Sequence, residues 1–179
     1  KRYAPYPEDW DIYSEVMMSH QRGGAHANGL IETYLLNEYR QPKDFEAFLY
    51  MNHVLQGDAI KTAIEAHRRD MPYCMGTLFW QHNDCWPVAS WSSVDCFGRY
   101  KALHYAARKF YAPVAMGLFL ENGALTVNIA NETRAGFRGH IHLAMCRGDL
   151  TVLDGLRRDV EVEALSSRDV LTYRVDSRD

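Results

Sequence analysis

The chain has 179 residues, of which 47% are apolar and 12% aromatic, and its formal net charge is −3 at pH 7. This is enough apolar material for one large domain or two small ones. The weak negative charge, with no cluster of basic residues, excludes the surface that binds phosphate backbones, so nucleic acid is not an expected partner. No apolar stretch approaches the roughly 20 residues that a membrane helix needs, so no membrane span is predicted.

Up to Pro113, apolar residues recur mainly at helical spacing. This periodicity predicts helices over 8–20, 28–39, 43–69 and 99–111. Gly57 is expected to kink or break the third helix. The apolar run Met75–Gln81 predicts a strand that is buried on both faces. Helix, buried strand, loop and helix form the repeating unit of an α/β barrel, whose chemistry lies at the C-terminal ends of the strands.

After residue 113 the apolar residues alternate with polar ones, which is typical of strands. Strands are predicted around 118–120, 125–129, 137–146, 160–162 and 171–175, the last with Leu171, Tyr173 and Val175 on one face. Asn122-Gly123 predicts a hairpin turn between the first two. His140 and His142 are expected on a solvated strand face rather than in a metal site. Several short strands indicate a β-sandwich, although 65 residues are few for a complete one.

Three of the four tryptophans lie within twelve positions of the segment GTLFWQHNDCWPVASWSSVDCFGRYKALHY, residues 76–105. Amide, carboxylate and hydroxyl side chains separate them. A pyranose ring stacks its apolar face on an aromatic ring, and its hydroxyl groups need directional donors and acceptors. The segment therefore predicts a sugar-binding site, and its candidate residues are Trp80, Gln81, Asn83, Asp84 and Trp86.

Several side chains of this segment also have a structural interpretation. Trp80 is alternatively a core residue, and Trp86 and Trp91 alternatively pack their loop. Asp84 binds sugar hydroxyl groups or orders the loop through backbone N–H groups. Asp95 is expected to cap the helix near Arg99 or to pair with a basic residue.

The four cysteines, Cys74, Cys85, Cys96 and Cys146, form no CxxC pair and show no zinc-ligand spacing. Free thiols are expected, with a Cys85–Cys96 disulfide as the alternative. No histidine has a serine or cysteine partner in a nucleophile context, which disfavours a catalytic triad. No metal site is predicted.

The segment from Glu8 to Val114 resembles the β-mannosidases of glycoside hydrolase family 2. The matching pieces are EDWDIYSEVMMSHQR, DFEAFLYMNHVLQGDAIKTAIEAHRR and PYCMGTLFWQHNDCWPVASWSSVDCFGRYKALHYAARKFYAPV. Residues 114–179 are similar to the immunoglobulin-like domain that follows the barrel in those enzymes. His82 departs from the family pattern, which usually has leucine there.

The resemblance implies an α/β part followed by a β part. Residues 1–112 would be the C-terminal portion of a (β/α)8 TIM barrel, and 113–179 a partial immunoglobulin-like β-sandwich. It also implies a retaining exo-enzyme that releases terminal β-D-mannose with two glutamates and no cofactor. Trp80 would stack on the mannose at the floor of the pocket.

The sequence contexts of the two family glutamates are missing from this chain. Asn37-Glu38 and Asn131-Glu132 are Asn-Glu pairs in other surroundings, so both catalytic glutamates are expected upstream of Lys1. The start without methionine is expected of a fragment or a processed chain. The chain alone is therefore predicted to be inactive, because retaining hydrolysis needs two carboxyl groups across the scissile bond.

Three other interpretations remain open at this point. The chain is alternatively part of another family 2 glycosidase such as an exo-β-glucosaminidase, a non-catalytic carbohydrate-binding module, or a structural piece between domains. The expected partners are a β-mannoside and either the remainder of the parent enzyme or a second copy, through barrel faces that the fragment leaves open.

Overall fold

The computed structural model of the protein describes residues 4–174. It contains two compact units. The first holds the described residues up to Ala63 together with Leu78–Lys109. The second holds Ile64–Thr77 together with the described residues from Phe110 onward. None of the helices within residues 4–174 has the length and apolar character that a membrane span requires.

The first predicted helix is much shorter than its apolar pattern indicated. A 3₁₀ turn covers Pro7–Asp9, and helix α1 spans only Glu15–Ser19. An Asp11 carboxylate oxygen accepts a bond from the Tyr13 N–H at 2.7 Å. Ser14 caps α1 by accepting from the Met17 N–H at 3.2 Å. These side-chain bonds favour turn conformations over a continuous helix, so the prediction of a helix over 8–20 is wrong for most of its length.

The other three predicted helices are confirmed. Helix α2 spans Ala27–Glu38, α3 spans Phe45–Arg69 and α4 spans Ala102–Phe110. Helix α3 continues through Gly57, where no break forms. A Cβ atom at Gly57 would lie 3.7 Å from the Ala106 methyl group, so α3 and α4 approach each other closely at this point.

The strand predicted at Met75–Gln81 does not form. Its residues have no regular strand pairing, and Leu78 is 98% exposed. A strand buried on both faces needs a hydrogen-bonded neighbour on each side, and within residues 4–174 no strand pairs with this segment. Two peptide bonds in this region, Met71–Pro72 and Trp80–Gln81, are cis.

The second unit contains the five predicted strands. They are β1 Val114–Glu121, β2 Ala124–Asn131, β3 Phe137–Cys146, β4 Val152–Val162 and β5 Ser166–Arg174. One antiparallel sheet has the order β1-β2-β5, and the other consists of β3 and β4. Asn122 and Gly123 turn β1 into β2 with φ angles of 52° and 74°, which confirms the hairpin prediction. Val175 lies outside the described residues.

The two sheets share one apolar core. Its buried residues come from four strands and are Val127, Ile129, Ile141, Val160, Val162 and Leu171. His140 and His142 point away from this core and are exposed, as predicted. At the end of β2, the fully buried Asn131 donates to the carbonyl groups of Ala135 and Glu163, both at 2.9 Å, and thereby ties two loops to the core.

Arg68, at the end of α3, is a buried cation within the second unit. Its guanidinium donates to the carbonyl groups of Phe110 and Ala112 and lies 2.9 Å from a carboxylate oxygen of Glu132. These bonds hold the end of the helix against the segment that leads into β1.

Candidate functional site

Residues 80–101, called the Trp-rich loop below, fold without regular strands but with ordered backbone bonds. The N–H of Val94 donates to the carbonyl of His82, and the N–H of Asp84 donates to the carbonyl of Val94, both at 2.9 Å. The N–H of Lys101 donates to the carbonyl of Ser93 at 2.9 Å. Three stretches of the loop therefore lie side by side. The first is 80–84, the middle one is Ser92–Val94 and the last is 100–101, and the middle stretch bonds to the other two.

Trp80 begins this loop, and its side chain is 71% exposed. This indole is not part of a core formed by the described residues. The ring is flat, apolar and accessible at the start of an ordered segment, which are the properties that stacking on a sugar ring requires.

The two amide side chains that follow Trp80 both bond within the loop. Gln81 Nε2 donates to the carbonyl of Asn83 at 3.1 Å, and Asn83 Nδ2 donates to the carbonyl of Asp84 at 3.2 Å. Asn83 is exposed and Gln81 is half-buried. These bonds fix the orientation of both amides in the loop that Trp80 begins, and amide groups can exchange hydrogen bonds with hydroxyl groups.

Asp84 is buried, and three side chains surround its carboxylate. Oδ1 accepts from the Ser90 hydroxyl, and Oδ2 accepts from Ser92 Oγ at 2.6 Å and from Lys101 Nζ at 2.9 Å. Burial alone would raise the pKa of Asp84, but the bonds from Ser90, Ser92 and Lys101 outweigh it and lower this pKa below its ordinary value. The carboxylate is ionised and orders the loop by accepting bonds from hydroxyl and ammonium groups. These partners differ from the backbone N–H groups that the structural interpretation of the sequence predicted.

Lys101 is the member of this cluster that sequence reasoning missed. It lies 17 residues after Asp84, and a lysine just before an amphipathic helix ordinarily extends into solvent. No local spacing connects the two residues, so only the folded loop reveals the pair.

Trp86 is half-buried and packs against a segment from the start of the chain. Its ring centroid lies 5.2 Å from that of His20. His20 Nδ1 lies 2.6 Å from the carbonyl oxygen of Pro87, and the His20 carbonyl accepts from the Ala89 N–H at 2.7 Å. These contacts are typical of loop packing.

Trp91 lies beside a cavity of about 830 Å³ in the first unit. Helices α2 and α3 and residues 89–91 line this cavity, and Trp80 is not among the lining residues. The carbonyl of Trp91 accepts a bond from Gln56 Nε2 at 2.8 Å, which attaches the loop to α3.

Asp95 forms the ion pair that the sequence predicted. Its Oδ2 atom lies 2.6 Å from Arg99 Nη2, and Oδ1 accepts from the backbone N–H groups of Phe97 and Arg99. Burial would raise the pKa of Asp95, but these bonds lower it. Helix α4 begins only at Ala102, so Asp95 closes a turn and does not cap the helix.

Cys85 and Cys96 are free, so the alternative disulfide does not form. Elsewhere in the loop, the Ser93 hydroxyl lies 3.2 Å from His104 Nδ1, whose ring stacks on Tyr100 at 4.0 Å. In the described part of the chain, no three His, Cys, Asp or Glu side chains are grouped so that they could hold a metal ion.

Sequence comparison connects this chain with curated fungal enzymes. It is 37% identical over 112 residues to Beta-mannosidase B of Aspergillus niger, which covers 61% of this chain and 13% of that protein. It is 36% identical over 124 residues to Beta-mannosidase B of Aspergillus terreus, which covers 68% of this chain and 15% of that protein. The chain is related to the β-mannosidases. It spans about one seventh of the length of these curated relatives, and no protein-family model matches it.

Solved structures show the same fold. The β-D-mannosidase of Dictyoglomus thermophilum matches 98% of this chain over 22% of its own, with a TM-score of 0.85 and 24% identity. An exo-chitosanase of Amycolatopsis orientalis matches 89% of this chain over 20% of its own, with a TM-score of 0.76 and 18% identity. The sequence similarity to the Aspergillus enzymes confirms the resemblance of this chain to β-mannosidases.

Proposed function

We propose that this chain is part of a retaining exo-β-mannosidase of glycoside hydrolase family 2. The whole enzyme hydrolyses terminal, non-reducing β-D-mannose residues in mannosides, and this part supplies one wall of the sugar site. The observation that carries the proposal is the exposed indole of Trp80 at the head of an ordered polar loop, in a chain related to β-mannosidases.

In this proposal the side chains of the Trp-rich loop have separate roles. Trp80 stacks on the apolar face of the mannose ring. Gln81 and Asn83 exchange hydrogen bonds with its hydroxyl groups. Asp84 lies behind these residues and orders their backbone, because its oxygen atoms already accept bonds from Ser90, Ser92 and Lys101. Trp86 supports the loop from the side of His20.

We assign residues 1–112 to the C-terminal portion of a (β/α)8 barrel and residues 113–179 to an immunoglobulin-like β-sandwich. The structural similarity to the Dictyoglomus thermophilum enzyme supports this assignment, as do the two antiparallel sheets around one core. The run Met75–Gln81, in which Leu78 and Trp80 are exposed, would pair as a barrel strand with other parts of the whole enzyme. Its partner is the remainder of that enzyme or, for the isolated chain, a second copy.

The chain by itself is not expected to hydrolyse mannosides. A retaining glycosidase places its two carboxyl groups about 5–5.5 Å apart across the scissile bond. Asp84 is unsuited to either role, because it is buried and its carboxylate is engaged by three side chains. The two glutamates would come from other parts of the enzyme, and the reaction of this class needs no cofactor.

A second candidate is an exo-β-glucosaminidase, which the structural match to the Amycolatopsis orientalis exo-chitosanase favours. The lower TM-score and the lower coverage of that match make it the weaker candidate. A carbohydrate-binding module without a catalytic partner would use the same Trp80 surface.

The test is a titration of the purified chain with methyl β-D-mannoside, methyl β-D-glucosaminide and methyl β-D-glucoside, followed by tryptophan fluorescence. We expect a saturable change that is strongest with the mannoside, that Trp80→Ala removes and that Trp91→Phe preserves. A stronger response to the glucosaminide would favour the second candidate. No response to any of the sugars would contradict a sugar site and leave a structural role.

The same preparation tests catalysis. An aryl β-mannoside should stay intact with the chain alone. Turnover by a preparation free of host enzymes would contradict the absence of catalytic carboxylates. A lower rate in the Trp80→Ala variant would show that the activity belongs to this chain.

A further inference from the structure

Lys101 turns its ammonium group into the protein, although it stands at the boundary between a loop and a helix. Nζ lies 2.9 Å from Asp84 Oδ2 and 2.7 Å from Ser92 Oγ. The exposed fraction of its side chain is 12%, and that of the Asp84 side chain is 2%. A lysine ammonium is ordinarily left in water, so this position reflects bonds that offset its desolvation.

The two residues that Lys101 bonds, Asp84 and Ser92, lie in two neighbouring stretches of the Trp-rich loop. Asp84 ends the first stretch of the loop, four residues after Trp80. Ser92 begins the middle stretch, whose Ser93 and Val94 N–H groups donate to the carbonyl of His82 at 3.1 Å and 2.9 Å. The ammonium group therefore connects the end of one stretch to the start of the other, and it also precedes α4 directly.

We propose that Lys101 is a positioning residue for the indole of Trp80. Its ammonium group bonds both Asp84 and Ser92 and thereby fixes the backbone that carries Trp80 and Gln81. This inference rests on the proposed function, because it concerns the same sugar site. The stretch from Trp80 to Asp84 has no regular strand ladder, so the charged cluster adds side-chain bonds to its short backbone pairing with Ser93 and Val94. A binding surface that is held in its bound geometry loses less freedom when the ligand binds.

The neighbouring ion pair supplies a matched control. Arg99 and Asp95 lie in the same loop and pair at 2.6 Å. The hydrogen bonds that define this turn join residues 95–99 to one another, and none of them involves the stretch from Trp80 to Asp84. Removing the charge of Arg99 thus changes a loop ion pair without touching the connection made by Lys101.

The experiment uses the ¹⁵N-labelled 179-residue chain and follows the indole N–H signals of its four tryptophans, with Trp80→Phe assigning the Trp80 signal. We expect Lys101→Met to move the Trp80 signal and to weaken methyl β-D-mannoside binding about tenfold or more, because small displacements of a positioned group have large effects. Lys101→Arg, which keeps the cation, should retain most of the affinity. Arg99→Met should leave both the signal and the affinity at their wild-type values.

The inference is overturned when Lys101→Met leaves the Trp80 signal and the mannoside affinity unchanged, or when Arg99→Met alters them as much. Should Lys101→Met fail to fold, the double variant Asp84→Asn with Lys101→Met carries the test, since it buries no unpaired charge. A folded double variant with an unmoved Trp80 signal would also overturn the inference.

The two proposals fail in different ways. If the wild-type chain does not respond to the mannoside, the sugar site is refuted. A displaced Trp80 signal in Lys101→Met, absent from Arg99→Met, would still establish that Lys101 positions the indole.

Discussion

The Trp-rich loop and the pair of sheets distribute polar and apolar side chains in opposite ways. In the sheets, Val127 and Val162 are almost completely buried, and the polar side chains largely face outward. In and around the loop, Asp84 and Ser92 are buried while Leu78 and Trp80 are exposed. Apolar burial stabilises the sheets, whereas a charged and hydrogen-bonded cluster orders the loop. In this loop, exposed apolar side chains are therefore combined with a buried polar cluster.

The largest effect is expected where the loop loses its buried charge. Asp84→Ala leaves the Lys101 ammonium without its carboxylate, and breaking a buried pair costs about 4 kcal/mol. Urea unfolding followed by tryptophan fluorescence measures this cost for the loop, because all four tryptophans lie in the first unit. Arg99→Met is the control with a small cost, and an equal loss in both variants would refute the special role of the buried cluster.

In the sheets, the corresponding substitution removes a buried apolar side chain and leaves a cavity in the core. Leu171 is 6% exposed within the shared core, and Leu171→Ala should cost about 3 kcal/mol. Unfolding followed by far-UV circular dichroism measures the change. Thr172→Ala, on the exposed face of the same strand, should cost far less, and similar losses at the two positions would contradict the packing of the two sheets around Leu171.

The pH dependence separates the two kinds of stabilisation further. The pKa of Asp84 is lower in the folded chain than its ordinary value near 4, because hydroxyl and ammonium bonds outweigh burial. Its stabilisation is therefore complete above about pH 5 and is lost as the pH falls through the folded pKa. The difference in urea midpoint between wild type and Asp84→Asn should shrink between pH 7 and about pH 3. A constant Asp84→Asn difference over this range would contradict the ionised cluster.

The smallest effect is expected at the most exposed apolar side chain near the loop. Leu78 is 98% exposed, so Leu78→Ser should change the free energy of unfolding by less than about 0.5 kcal/mol. The thermal midpoint of the chain measures this. A marked loss would show that Leu78 is covered in solution, for instance by a second copy, and a repeat at lower protein concentration would identify that case.

Much of the fold follows from local patterns in the sequence. The apolar period of α4 reflects one buried face, with Leu103 and Phe110 buried, and Asn122-Gly123 determines its hairpin through positive φ angles. Strand β2 is instead buried on both faces from Val127 to Asn131, although its sequence alternates. The patterns failed at 8–20, where Asp11 and Ser14 bond the backbone into turns. They also failed at Met75–Gln81, because a strand depends on neighbours that an apolar run does not reveal.

The candidate site divides in the same way. Residue type and order marked Trp80, Gln81, Asn83, Asp84 and Trp86, and the exposed ring of Trp80 agrees with the role that we propose for it. From the sequence alone, Asp84 had two possible roles, and Lys101 was not a candidate. Which bonds a buried carboxylate makes depends on residues that are distant in the chain, and no periodicity encodes them.

By itself, the sequence determined three of the four predicted helices, the five strands and the resemblance to β-mannosidases, because each of these depends on residue type, local period or similarity along the chain. The tertiary structure decided that Trp80 is exposed and that Asp84 is enclosed by Ser90, Ser92 and Lys101. Exposure and charge pairing are properties of three-dimensional proximity, since a carboxylate remains ionised in a buried loop only where folding brings donors to it.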